Sequence, residues 1–207
     1  MRYFMICGIT LALFFSAALK AELRLPRVLS DGMVLQRDRP LKLWGWGQAG
    51  EAVELSFRGR DYRTRVDSQG RWEMRLPPQA AGGPYELVIE GSDRSVVLED
   101  VLVGDLWLAS GQSNMELPMD RTAPLYPKER RGARDPQLRY FDVPDRYDFQ
   151  APREDLEEGH WRAVTPETIG SVSAVAYFFA RDLRDSYQVP VGIINASLGG
   201  SPVEAWM

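Results

Sequence analysis

The chain has 207 residues, with 25 Lys and Arg against 29 Asp and Glu, which gives a formal net charge of −4. This balance argues against a nucleic-acid-binding protein, because phosphate contacts need a concentrated basic face and the sequence shows none. Hydrophobic residues make up 44% of the chain and charged residues 26%, close to globular averages, and this excludes a wholly disordered protein.

Residues 1–21 are predicted to be a secretory signal peptide. Arg2 gives a positive start, residues 4–19 form an uncharged and largely apolar run, and small residues lead to a cleavage position after Ala21. The run is short for a membrane span, so we expect no integral membrane segment once the signal is removed. The only cysteine, Cys7, lies inside this run. The sequence therefore predicts a secreted or periplasmic protein.

Residues 22–103 are predicted to form a β-sandwich or jelly-roll-like domain. Short alternating runs are separated by turn residues about every ten positions, which is typical of small all-β domains. The runs are residues 41–44, 53–57, 62–66, 72–76, 85–89 and 96–101.

Three tryptophans, Trp44, Trp46 and Trp72, lie within these runs. Aromatic faces suit the apolar faces of sugar rings, so a carbohydrate-stacking platform is one interpretation. Core packing of alternating aromatic residues is the other. Because no run of exposed aromatic residues stands out, we favour core packing.

The fold class is predicted to change at residue 104. Residues 101–109 are apolar nearly throughout, as expected of a strand covered on both faces in an α/β domain. The strand leads directly into Ser113, and Gly111 allows a tight turn just before it. A serine in this position presents its hydroxyl beside the first backbone N–H groups of the next segment, which is suitable for a nucleophile.

The remaining residues, 104–207, are predicted to alternate strands and helices. Strands are expected at residues 137–143 and 190–194, and a helix at 171–187 capped by Ser171. A further helix is expected to begin near Pro202. The pair Gly199 and Gly200 then lies between a strand end and a helix start, where free N–H groups can face an anion. The predicted apolar face of the long helix consists of Val172, Val175, Ala176, Phe179 and Leu183.

Several motifs in the same order resemble the sialate O-acetylesterase family, which is among the SGNH-type hydrolases. The strongest are residues 108–116, Leu-Ala-Ser-Gly-Gln-Ser-Asn-Met-Glu, and residues 199–206, Gly-Gly-Ser-Pro-Val-Glu-Ala-Trp. The similarity extends to residues 173–179, 45–47 and 82–85, and so to almost the whole mature chain. The resemblance implies a serine carboxylic-ester hydrolase with a flavodoxin-like α/β domain, acting on O-acetylated sugars such as sialic acid or on an acetylated polysaccharide.

The resemblance also implies roles for individual residues. Ser113 matches the family nucleophile, and its backbone N–H would form an oxyanion hole with that of Gly200, or alternatively of Gly199. Gln112, Asn114 and Gly199 are the implied substrate contacts. No cofactor is implied. A zinc site is not expected either, since the mature chain has no cysteine and only one histidine.

The chain departs from the family pattern because it ends before the expected catalytic Asp, His and third oxyanion donor. We therefore expect a truncated α/β domain with about three of five parallel strands. The only histidine, His160, does not match the family base and is interpreted as a surface-loop residue. The alternative to an esterase is a non-catalytic carbohydrate-binding remnant. A truncated sheet is also expected to associate through an exposed edge, which we predict at residues 191–194.

Three further patterns have ordinary explanations. Clustered carboxylates between residues 145 and 158 are interpreted as a solvated loop rather than a glycosidase pair. The sequon at residues 195–197 is interpreted as incidental. The long insertion at residues 117–136 carries arginines, and one hypothesis is that they meet a sialic acid carboxylate.

Overall fold

The computed structural model describes residues 22–147 and 150–206, so the predicted signal peptide lies outside the described residues. Strands and helices alternate in the second half and strands alone form the first. The strands are β1 (Val34–Gln36), β2 (Leu41–Trp46), β3 (Ala52–Phe57), β4 (Arg60–Arg65), β5 (Arg71–Leu76), β6 (Gly82–Glu90), β7 (Ser95–Gly111), β8 (Asp135–Asp142), β9 (Trp161–Val164) and β10 (Val191–Ser197). The α-helices are α1 (Ser113–Glu116), α2 (Met119–Thr122), α3 (Pro127–Gly132) and α4 (Ala174–Tyr187).

The first half is all-β, as the alternating runs predicted. Strands β4, β3, β6 and β7 form antiparallel neighbours in that order, and β2 pairs with β5 as a separate antiparallel ribbon. Inward positions of these strands are buried, with Leu55, Leu87 and Ile89 fully enclosed. Alternation therefore places one face of each strand in a common apolar core.

Strand β7 joins the two halves of the molecule. Its first part pairs with β6, and residues 105–111 pair with β10 in parallel. The predicted division between residues 103 and 104 falls inside this strand, because no turn residues interrupt it there. The buried side chains nevertheless form two clusters, one under the antiparallel sheet and one between the parallel strands and α4.

Strand β10 is central, so the prediction of an exposed edge at residues 191–194 is wrong. It pairs in parallel with β7 on one side and with β8 on the other. Strand β9 pairs antiparallel with β8 and ends that side of the sheet. The unpaired edge is instead on β7, where β10 is the sole partner of residues 105–111 among the described strands.

Helix α4 begins later than the sequence predicted. Its N-cap is Ser173, whose Oγ accepts the Ala176 N–H at 3.2 Å, while residues Ile169–Ser171 form a 3₁₀ turn. The buried face also differs from the prediction, since Val175 and Phe179 are 50% and 42% exposed. The face that packs inward consists of Ala174, Ala176, Tyr177 and Ala180.

Two strands, β1 and β9, and the three short helices α1, α2 and α3 were not predicted. Strands β1 and β9 contain only three and four residues, too few for a periodic pattern. The segment after Pro202 is a 3₁₀ turn, Val203–Trp206, rather than the expected α-helix. Among the described residues, no helix has the length and apolar character that crossing a membrane requires.

Candidate active site

Ser113 is the first residue of α1, directly after the carboxyl end of the parallel strand β7. Gly111 makes the turn possible because its φ of +139° is strained for residues with a side chain. The Ser113 side chain is exposed, and its hydroxyl donates a hydrogen bond of 3.2 Å to Oε1 of Gln112. The nucleophile predicted from the sequence therefore lies at an open sheet end with its hydroxyl accessible.

A glycine loop lies beside this turn. Ser197, the last residue of β10, is in register with Gly111, and the Leu198 N–H donates to the Gly111 carbonyl at 2.9 Å. Gly199 and Gly200 follow, and Gly200 has a φ of +77°. Pairing of β7 with β10 thus brings the two motifs, some 85 residues apart in sequence, to the same edge of the sheet.

Unused backbone donors are present on both sides of this junction. The N–H groups of Ser113, Gly199 and Gly200 donate no hydrogen bond within residues 22–147 and 150–206. Backbone N–H groups without a partner are suited to bind an oxyanion that develops in a transition state. The oxyanion role of Gly200 stays a prediction.

Gly199 packs against the side chain of Glu116 in α1. A Cβ at position 199 would overlap the Glu116 carboxylate, so only glycine allows this approach without displacement. The contact fixes the glycine loop against the same short helix that begins with Ser113.

An open cleft of about 700 Å³ contains Ser113. Its wall combines residues from α1 and α2 with the carboxyl ends of β8 and β10. The lining residues are Ser113, Glu116, Leu117, Pro118, Asp120, Arg121, Asp142, Val143, Pro144, Asp145, Gly170, Ser171, Asn195 and Ser197.

A polar network forms the inner wall of this cleft. Asn195 Nδ2 donates to Asp142 Oδ1 at 3.0 Å, and Ser197 Oγ donates to Asn195 Oδ1 at 2.7 Å. Both Asn195 and Ser197 are 6% exposed. The Tyr140 hydroxyl extends the network toward Asp142 at 3.5 Å, and it accepts the Ser173 N–H at 3.3 Å. Burial, reinforced by the Asp142 charge, raises the pKa of Tyr140 above its ordinary value, so the phenol stays neutral.

This network was missed by sequence reasoning, although a signal was present. Asp142 and Asn195 are polar residues at the ends of apolar strands, the position at which open α/β sheets bind ligands. The structure supports the interpretation of the sequon at residues 195–197 as incidental, because the Asn195 amide is buried and hydrogen-bonded and so is not accessible to a glycan.

His160 lies outside the cleft. Its side chain is exposed in the segment before β9, in agreement with a surface-loop residue, and it does not line the wall around Ser113. Within the described residues, no group of three or more His, Cys, Asp and Glu side chains is arranged to hold a metal ion.

The structure places the five predicted site residues around one junction. Ser113 lines the cleft, and Gly199 touches Glu116, which lines it as well. Gln112 contacts the Ser113 hydroxyl. Gln112, Asn114 and Gly200 adjoin the cleft in the chain but are not part of its wall in the described structure.

The chain was compared with known proteins. No protein-family model matches it. It is 32% identical to the sialate O-acetylesterase of Pongo abelii and 31% identical to that of Homo sapiens, in each case over 98% of this chain and 42% of the relative.

Among solved structures, a carbohydrate acetylesterase from Xanthomonas citri is 47% identical, with a TM-score of 0.85 over 89% of this chain and 42% of that one. The chain thus spans about two fifths of the length of the proteins it matches. Over nearly all of its own length, this chain is a homologue of the sialate O-acetylesterases.

Proposed function

We propose that this chain supplies the nucleophile and part of the oxyanion hole of a carbohydrate O-acetylesterase. The observation that carries the proposal is the position of Ser113 at the end of parallel strand β7, in a cleft and beside the Gly199–Gly200 loop. The names of its relatives, which are acetylesterases, support the same reaction.

The reaction begins when Ser113 Oγ attacks the carbonyl carbon of the acetyl ester. A C–O bond forms, the serine proton passes to a base, and the carbonyl oxygen becomes an oxyanion held by the N–H groups of Ser113 and Gly200. One such donor typically contributes about 3–4 kcal/mol to lowering the barrier. Collapse of the intermediate breaks the bond between the acetyl carbon and the sugar oxygen, which takes the proton from the base and leaves as a hydroxyl. Water then attacks the acetyl-enzyme, giving its proton to the base, and acetate leaves as Ser113 Oγ takes that proton back.

The base is proposed to come from polypeptide outside the described residues. Gln112, the hydrogen-bond partner of Ser113 Oγ, is a neutral amide and is not basic enough to take a proton. His160 does not line the cleft, and within the described residues no carboxylate of the cleft wall is hydrogen-bonded to Ser113 Oγ. A serine hydroxyl without a base is a weak nucleophile, so the chain by itself is expected to have little or no turnover.

The substrate is proposed to be an O-acetylated sugar. The cleft wall carries the carboxylates of Glu116, Asp120, Asp142 and Asp145 beside the guanidinium of Arg121. Carboxylates accept hydrogen bonds from sugar hydroxyls, and Arg121 is the candidate contact for the carboxylate of a sialic acid. The apolar leader at residues 4–19 supports secretion or a periplasmic location for the protein.

Two measurements test the esterase proposal. The first is hydrolysis of 4-nitrophenyl acetate by residues 22–207, compared with Ser113→Ala and with Ser171→Ala, a matched control from the same cleft wall. Turnover that survives Ser113→Ala would overturn the assignment of the nucleophile.

The second measurement supplies the missing base. The aligned part of the Xanthomonas citri acetylesterase is replaced by this chain, and the chimera is assayed on an acetylated oligosaccharide. We expect activity that is lost in the chimera carrying Ser113→Ala and retained with Ser171→Ala. A folded chimera with no activity would instead favour the non-catalytic alternative.

A further inference from the structure

A second cleft lies on the β2–β5 ribbon, away from Ser113. It encloses about 490 Å³ and is lined by Trp44, Trp46 and Trp72 together with polar and charged side chains. Trp72 is 2% exposed and belongs to the core, as the core-packing interpretation predicted. Trp44 and Trp46 are only half-buried, and they lie two residues apart on β2, so their side chains leave the same face of the ribbon.

The two outward tryptophans are held in place by their neighbours. The Arg24 guanidinium lies over the Trp46 ring, 4.0 Å from its centroid, and Arg24 Nη1 is paired with Asp155 at 3.2 Å. Trp44 is in register with Glu73 and packs partly against the core. Arg24 covers one face of the Trp46 ring, so the stacking surface consists of the other face of Trp46 and the Trp44 ring. Rings fixed in this way have little entropy to lose on binding.

The charged residues around the tryptophans neutralise one another. Lys42 Nζ is paired with Glu73 at 2.7 Å, and Arg71 is paired with Glu154. Asp67 accepts the backbone N–H groups of Gln69 and Arg71 at 2.8 and 3.0 Å. The cleft therefore has hydrogen-bonding groups without a strong excess of either charge, which suits a neutral ligand.

Trp72 closes this cleft from the core side of the ribbon. The indole N–H of Trp72 makes no hydrogen bond in the part of the chain that the structure describes. Trp72 is the register partner of Gly45, which lies between Trp44 and Trp46, so its side chain leaves the opposite face of the ribbon. Its ring and the Arg24 carbonyl fill the place that a Cβ at position 45 would take.

We propose that the β2–β5 cleft binds the neutral sugar chain of a polysaccharide, with pyranose rings stacked on Trp44 and Trp46. The proposal rests on the proposed function, because the ligand would be the polymer whose acetyl groups the Ser113 site removes. Binding here would keep an acetylated polymer close to the cleft without taking part in the ester chemistry.

The test uses unacetylated sugars and residues 22–207 carrying Ser113→Ala, so that its outcome does not depend on esterase activity. Cellohexaose, xylohexaose and mannohexaose are titrated while the indole N–H signals are followed by NMR. We expect saturable binding of at least one of them, with changes in the Trp44 and Trp46 signals. Loss of aromatic rings in Trp44→Ala and Trp46→Ala is expected to raise the Kd about tenfold or more.

Matched variants separate stacking from general destabilisation. Trp46→Phe keeps an aromatic face and Trp46→Leu does not, so only the first is expected to retain much of the affinity. Trp107→Ala removes a more exposed tryptophan, 45% accessible, from another part of the molecule and should leave the Kd unchanged. The proposal is overturned by no saturation up to about 10 mM, by equal losses in Trp107→Ala, or by tighter binding of an oligogalacturonate.

Discussion

Asn195 Nδ2 donates a hydrogen bond of 3.0 Å to Asp142 Oδ1, across the parallel strands β10 and β8 and within the wall of the Ser113 cleft. The two residues are direct register partners, so the backbone itself places amide and carboxylate side by side. Ser197 in turn donates to Asn195, and the carboxyl end of β10 is thereby tied to that of β8 immediately before the Gly199–Gly200 loop begins.

Replacing this amide by a carboxylate tests the contact. In Asn195→Asp the introduced carboxyl is buried beside Asp142, so its pKa is raised above the value in the unfolded chain. This lowers the free energy of unfolding only at pH values at which the introduced carboxyl is ionised in the unfolded chain. We expect a loss of about 2–4 kcal/mol in the free energy of unfolding at pH 7, which disappears below about pH 4.

Chemical denaturation at a series of pH values measures the effect. Ser197→Ala is the control, since it removes a hydrogen bond of 2.7 Å without adding a charge. Its cost should be about 1 kcal/mol and independent of pH. An Asn195→Asp penalty that did not change with pH would contradict the contact with Asp142.

The packing of Gly199 on Glu116 predicts a coupling between these positions. A methyl group in Gly199→Ala would overlap the Glu116 carboxylate, the flexible end of an exposed side chain that can turn away, so the expected cost is below about 1 kcal/mol of stability. The penalty should vanish in the Glu116→Ala background, which a double-mutant cycle measures. Gly200→Ala is the matched control, because no atom lies within 4 Å of its Cβ position and its cost arises from a φ of +77°. If the cost of Gly200→Ala also vanished in the Glu116→Ala background, the cost at position 199 could not be assigned to the Glu116 contact.

Two buried tyrosines predict a loss of stability in alkali. Burial raises the pKa of Tyr140 and of Tyr177 above the ordinary 10.0, reinforced at Tyr177 by its hydrogen bond to Glu129. The unfolded chain loses these protons near pH 10 whereas the folded chain keeps them, so the free energy of unfolding falls as the pH rises above 10. This decrease in the free energy of unfolding should be smaller in Tyr140→Phe and Tyr177→Phe. In the control Tyr187→Phe, which changes a residue that is 60% exposed, the decrease should equal that of the unmodified chain. Urea unfolding between pH 8 and 11 would show this, and equal slopes in all variants would refute it.

The unpaired edge of β7 predicts an amide-exchange pattern. Asp105 N–H donates to Pro190 and Gly111 accepts from Leu198, so odd-numbered residues of this segment face β10. The N–H groups of Leu108 and Ser110 then face the opposite side, where the described chain offers them no partner. We expect their amides to exchange at least about a hundredfold faster than those of Ile193 and Ile194, measured by NMR.

Association of two chains through this edge of β7 would slow the exchange of the Leu108 and Ser110 amides. Leu108 is 66% exposed on the same segment, so a second strand would have apolar surface as well as backbone groups to bind. Protection of the Leu108 amide that rises with protein concentration would place the predicted association on β7. Strong protection in dilute solution would show that the edge is already covered.

The sequence by itself determined much of the fold and the position of Ser113, the proposed nucleophile. Alternation and turn residues mark six strands of the first half, since these signals depend on neighbouring residues alone. The motif around Ser113 and the glycine pair at Gly199–Gly200 are likewise local, and both identify the chain's relatives. Short strands such as β1 and the true start of α4 were missed, because their positions depend on long-range pairing and on the Ser173 cap.

Only the tertiary structure decided which strands are neighbours. Sequence order suggested that residues 191–194 form an edge, whereas pairing on both sides makes β10 central and leaves β7 open. The same pairing joins Asp142 to Asn195 and places Gly199 on Glu116, contacts between residues 53 and 83 positions apart. No local pattern encodes such contacts, because they depend on which strands pair, and pairing is set by the burial of apolar side chains on both faces of the sheet.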